Sequence, residues 1–161
     1  MPKKSYPRDA LQRVREDEKD KAAMELAKAL QQEERAREQR AAAEQRAAQE
    51  AASTQRVLAD ERAALEAGAL TARDLERATA FRMGADARQR GLDEVTHRAA
   101  QAEAEARART LEEQQALLLA RAGAKVMDRD REKWEQAQKR ATLAREEEDA
   151  EEAWRKKDDK G

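Results

Sequence analysis

Acid–base or metal chemistry needs imidazole, thiolate or carboxylate groups held close together. This sequence has one histidine, His97, no cysteine, and 35 aspartates and glutamates. His97 falls at an outward f position of the heptad described below, on a solvated helix face without the neighbours that make a base or a ligand. Carboxylates become catalytic when a few are held in a water-poor pocket with separated pKa values. Two packed helices offer no such cavity. The sequence has no Gly-rich phosphate loop, no metal-spaced cluster and no nucleophile elbow. The expectation is a protein that is not an enzyme, with no catalytic, cofactor-binding or metal site.

What remains is the chemistry of protein recognition, and it collects at the two ends. Arg8, Arg13, Arg15 and Lys19 give the first helix a basic start, interleaved with Asp9, Glu16, Asp17 and Glu18. Near the other end run Arg145-Glu146-Glu147-Glu148-Asp149-Ala150-Glu151-Glu152 and then Ala153-Trp154-Arg155-Lys156-Lys157. In an antiparallel hairpin these ends lie side by side, and two readings are open. Basic against acidic side chains could zip the open end. Alternatively the ends form a docking surface, with Trp154 as its aromatic anchor and an arginine beside it. The candidate protein-binding residues are Arg8, Arg13, Arg15, Glu147, Glu148, Trp154 and Arg155.

The elements that position these residues follow from composition and punctuation. Of 161 residues, 43% are charged and 2% aromatic, and much of the 39% hydrophobic fraction is alanine. A globular domain needs more large apolar side chains, whereas long amphipathic helices need only a narrow stripe. Disorder fits poorly: the formal net charge is −1 and the commonest residues are strong helix formers. Interspersed charges of both signs argue against a nucleic-acid binder. The basic N-terminus leads into no signal-peptide core, and no stretch approaches the roughly 20 apolar residues that cross a bilayer. The expected location is cytoplasmic.

Pro7 can open a helix at its first turn, and no glycine or proline follows before Gly68. The spacing predicts a first long helix over about 7–67, roughly 90 Å at ~1.5 Å per residue. A tip follows over 68–84, where Thr71 and Asp74 form a capping-box variant ahead of a short helix. Gly84 and Gly91 loosen the chain before a second long helix, taken over 85–157. The predicted fold is all-α: a long antiparallel two-helix coiled-coil hairpin with a short helical segment at the tip, forming one elongated domain.

The second arm has a legible heptad. Leu92, Ala99, Ala106, Ala120, Met127, Trp134 and Ala141 fall at a, with Glu113 the exception, and Val95, Ala102, Ala116, Ala137 and Ala144 at d. Arg109, Gly123 and Asp130 break the seam. The first arm fits a register with Ala23, Leu30, Ala51, Leu58 and Leu65 at a and Ala27, Ala41 and Ala48 at d only with Arg37 and Glu44 intruding. Leu11, Val14, Met24 and Leu26 sit in another phase, which predicts a stutter near the start. An alanine-rich seam buries little area, so a hairpin of modest stability is expected, softest over 41–52. Within Leu117-Leu118-Leu119 at least one leucine must point away from the seam. That signals either a wider core or an exposed patch for a partner.

Three segments together carry a family resemblance. They are Leu11-Gln12-Arg13-Val14-Arg15 opening a long charged helix, Arg73-Asp74-Leu75-Glu76-Arg77 after the Gly/Thr break, and the acidic tract over 145–152. With this length, the chain resembles the stalk proteins of bacterial type III secretion, YscO of the injectisome and FliJ of the flagellar export apparatus. The mid-chain and acidic segments favour the YscO side. The resemblance implies a monomeric antiparallel hairpin at the cytoplasmic side of the inner membrane. Its paired ends insert into the hexameric export ATPase, and it reaches the cytoplasmic domain of the export gate and engages export chaperones. Its implied work is mechanical coupling.

Two other classes stay open on the residues themselves. A self-associating coiled-coil scaffold shares the broken seams. A prefoldin-like chaperone arm would use Leu70, Leu75, Phe81 and Met83 at the tip. A nucleic-acid role ranks last, since no unopposed basic stripe is present.

Overall fold

The structure, a computed structural model, describes residues 5–158, with side-chain surroundings given through Arg155. Lys3 and Lys4 of the basic N-terminus lie outside the described residues, as do the side chains of Lys156 and Lys157. The fold is an all-α hairpin of two long helices packed against each other, α1 over Asp9–Glu66 and α2 over Ala72–Asp158. No helix among the described residues is long and apolar enough to cross a membrane.

Each helix end has a local cause. Pro7 stands before α1 rather than in its first turn. Tyr6, Pro7, Arg8 and Asp9 make a turn closed by the Asp9 N–H donating to the Tyr6 carbonyl at 3.2 Å, with proline at its favoured second position. At the other end of α1, Gly68 takes φ +67°. Its N–H donates to the Leu65 carbonyl and the Ala69 N–H to the Ala64 carbonyl, each at 3.0 Å. That pair of bonds is the Schellman arrangement, which needs a residue free to adopt the left-handed region. The capping box expected at Thr71 is complete. The Asp74 N–H donates to Thr71 Oγ1 at 3.3 Å, and Asp74 Oδ2 accepts from the Thr71 N–H at 3.0 Å and from its hydroxyl at 2.6 Å.

The expected short tip helix exists only as the first turns of α2. Gly84 and Gly91 do not interrupt it; the helix runs unbroken from Ala72 through both. A glycine inside a helix costs only about 1 kcal/mol relative to alanine, and the flanking Ala, Arg and Leu residues favour the helix. Neither glycine has a positive φ.

The contacts divide the chain into two units, Met1–Glu25 with Gln114–Gly161, and Leu26–Glu113. In the second unit the helices run antiparallel, with Arg40 paired to Glu103, Glu50 to Arg88 and Glu61 to Arg82. Ala29, Ala36 and Ala43, spaced by seven, are its buried residues on α1; Ala85 and Thr110 are buried on α2. Phe81 at the tip is half-buried, with the Arg88 guanidinium 5.8 Å from its ring centre. In the first unit Tyr6, Leu117, Ala124 and Met127 are buried. Arg15 lies against the Gly123 backbone, where a Cβ would stand 3.6 Å from its Cδ.

The seam therefore differs in phase from the sequence expectation. On α2 the inward a row is right as far as Trp134: Leu92, Ala99, Ala106, Ala120 and Trp134 are half-buried and Met127 is buried, whereas Ala141 is exposed. Its companion row is not Val95, Ala102 and Ala116 but the next residue each time: Thr96, Glu103, Thr110, Leu117 and Ala124. On α1 the inward residues include Ala22, Leu26, Ala29, Ala36 and Ala43, and farther along Ala51 and Leu58, the two a positions of the expected register that do face inward. Ala23, Ala27, Leu30, Ala41 and Ala48 face outward. Leu11, Val14 and Met24 are exposed, so they mark no second apolar phase in the core. Alanine offers too small a side chain to distinguish one face from its neighbour by hydrophobic content. The packing chose rows in which small residues let the helices approach.

Candidate protein-docking end

The start of α1 is fixed to α2 by a cluster around Asp130. The Tyr6 hydroxyl donates to Asp130 Oδ2 at 2.5 Å, and Arg8 Nη1 donates to the same oxygen at 3.1 Å. One turn along, Gln12 Nε2 donates to Asp128 at 3.0 Å and Arg131 donates to Gln12 Oε1 at 3.0 Å, with Asp9 3.7 Å from Arg131. The Tyr6 ring stacks obliquely on Trp134, centroids 5.6 Å apart and planes at 60°. The hydrogen bond from Tyr6, with the nearby Arg8 charge, holds the Asp130 carboxyl below its ordinary value. Donating that bond raises the Tyr6 phenol. Asp130, which reads in the sequence as a break in the apolar seam, is thus the acceptor that receives the beginning of the chain. No sequence signal pairs it with Tyr6, because 124 positions separate them.

That placement settles the pairing of the ends. Arg8 is bound to Asp130, and Arg13 and Arg15 pair along their own helix with Asp9 and Glu18, each at 2.8 Å. Lys19 likewise pairs with Glu16. None of these basic residues meets the acidic tract over 145–152, so the electrostatic zip between the two ends does not form. α2 instead continues about 28 residues past Asp130, or ~42 Å of helix at ~1.5 Å per residue. From Lys139 through Arg155 every residue of this extension is exposed.

The seven candidate binding residues fall into two groups. Arg8, Arg13 and Arg15 lie where α1 packs on α2. Glu147, Glu148, Trp154 and Arg155 ride on the extension, where Trp154 is 71% exposed and Arg155 lies 3.8 Å from Glu151 of the preceding turn. An indole that exposed, on a helix otherwise covered in charge, supplies apolar area that water does not favour. The second exposed feature is Leu118 and Leu119, at 64% and 75%; Leu117 beside them is buried. The leucine run therefore resolves into one core residue and a two-residue surface patch.

His97 sits on the surface of α2, its Nε2 3.1 Å from the Gln101 amide nitrogen. The furrow beside it is lined by Arg90, Asp93, Glu94, Arg98 and Gln101 of the same helix. Among the described residues no group of three or more His, Cys, Asp or Glu side chains could hold a metal ion. Comparison with protein-family models, with curated proteins and with solved structures finds no match for this chain.

Proposed function

We propose that this chain is a non-enzymatic, protein-binding hairpin that serves as the stalk of a bacterial type III secretion export apparatus, of the YscO and FliJ kind. In this reading it links the export ATPase hexamer to the cytoplasmic domain of the export gate and to export chaperones. The observation that supports it is the open end. One helix start is pinned at Asp130 while the other helix runs on, exposed from Lys139 through Arg155, carrying Glu147, Glu148, Trp154 and Arg155. A single charged helix with one aromatic anchor suits insertion into a ring of subunits, because it needs no second helix at its deepest point. Coupling of this kind requires that each end bias the state of what it touches.

The test is binding of the purified chain to the export ATPase hexamer encoded by the same organism. The expected result is saturable binding that Trp154→Ala weakens at least tenfold while Leu30→Ala, on the exposed side of α1, leaves it unchanged. Absence of binding at ATPase concentrations in the tens of micromolar, about 6–7 kcal/mol of affinity or less, would sink the stalk. The second reading is a self-associating scaffold, favoured by the exposed Leu118 and Leu119.

A further inference from the structure

We infer that a second copy of this chain docks on the outward face of α2, antiparallel, about a two-fold axis at Gln136. The inference does not rest on the stalk reading, and because it covers Glu147 and Trp154, docking of a second copy and insertion into a partner exclude each other at this surface. Leu118 and Trp154 are 36 residues apart, which at ~3.6 residues per turn is about ten whole turns. They therefore lie on one line along the helix, turned about 100° or more away from the buried Leu117, Ala124 and Met127. The residues within about 40° of that line at ~100° per residue are all exposed, from Leu118 and Ala122 to Ala150 and Trp154.

Reflected about Gln136, this stripe is complementary to itself. Leu118 meets Trp154, each eighteen residues from the centre, and Ala122 meets Ala150. Lys125 meets Glu147, and Glu132 meets Arg140. Arg129 meets Leu143, whose exposed side chain can carry the methylene stem of the arginine. A two-fold interface makes each of these contacts twice. Other alignments lose them. A parallel pair sets Lys125 on Lys125 and Glu147 on Glu147. Sliding one turn toward the C-terminal ends carries Leu118 beyond Trp154 and leaves only one kind of ion pair, Arg129 with Glu147. Sliding one turn the other way sets Leu118 on Ala150 and Lys125 on Leu143, with neither ion pair. Opposite charges that are satisfied more fully in one register than in its neighbours help helical pairs select an alignment.

The size of the stripe sets the strength. A face ~54 Å long and about 10 Å wide covers on the order of 500 Å² per copy, about 1,000 Å² in all, in the range of weak, transient interfaces. Lys133 and Lys139 flank the axis three residues from Gln136 on either side and oppose each other. A reversible dimer in the micromolar range follows.

Because the chain has no cysteine, single cysteines report the geometry in the full-length protein. Gln136→Cys should cross-link to itself under mild oxidation at least tenfold faster than Ser53→Cys on the exposed surface of α1. Lys125→Glu in the Gln136→Cys background should slow the reaction about tenfold, and adding Glu147→Lys should restore it, with circular dichroism confirming unchanged helix throughout. Equal rates for the two cysteines, or indifference to the charge reversals, would overturn the dimer.

Discussion

The Tyr6 hydroxyl and the Asp130 carboxylate meet at 2.5 Å, and this bond joins the turn before α1 to the middle of α2. It sets where the paired part of the hairpin ends, because every residue of α2 after Gln138 is exposed through Arg155. Removing either partner should release the first turns of α1. In a Trp154→Phe background, Tyr6→Ala should shift Trp134 emission to the red and raise its access to a soluble quencher. Amide exchange over 9–16 should accelerate several-fold while 72–110 is unaffected. Unchanged emission would mean that Tyr6 does not cover Trp134.

The same pair gives the end a defined pH window. The Asp130 carboxyl is lowered, chiefly by the bond from Tyr6, so its contribution is present above the unfolded value of about 3.9. It is lost as pH falls through the lower folded value. The Tyr6 phenol is raised, chiefly by the same bond, so its contribution is complete below about 10 and is lost as pH rises through the higher folded value. Trp134 emission should therefore be flat from about pH 5 to 9 and change at both extremes. With Asp130→Asn the acid limb should shrink.

The turn between the helices carries two separable stops. Thr71→Ala removes the hydroxyl that caps α2 and should cost about 1 kcal/mol in urea denaturation. Gly68→Ala forces a Cβ into the left-handed region at φ +67° and should cost roughly 1–2 kcal/mol. If both substitutions were neutral, the turn would contribute nothing to the hairpin.

Leu117 and Leu118 are neighbours with opposite fates, which makes them a test of the seam. Leu117→Ala, at a buried position, should destabilise by about 2–5 kcal/mol. Leu118→Ala, at a position 64% exposed, should stay within about 0.5 kcal/mol for the hairpin in dilute solution. Equal losses at both positions would mean that the seam has the other phase.

Among the described residues, five of the eight buried apolar ones are alanines, so little large-side-chain area holds the helices together. Thermal unfolding followed by circular dichroism should be broad and of modest midpoint. A sharp transition above about 90 °C, the hyperstable range, would contradict this account of the core.

The helices, their separation at Gly68 and the box at Thr71 were legible in the sequence because they are local. Helix propensity, a residue that tolerates positive φ and a hydroxyl three positions before a carboxylate act over a single turn of chain. Gly84 and Gly91 were over-read as breaks, since one glycine does not outweigh twenty helix-forming neighbours. The phase of the seam was not legible. Faces one residue apart on an alanine-rich helix differ too little in apolar content to choose between, and only packing selected Ala29, Ala36 and Ala43 over Ala27, Ala41 and Ala48. Nor could the sequence fix how far the arms overlap. Basic and acidic runs at the two termini invite pairing end to end. Tertiary structure instead set Tyr6 and Arg8 on Asp130, where one buried ring and two hydrogen bonds outweigh exposed charges that water and salt screen. That choice left the acidic helix and Trp154 uncovered.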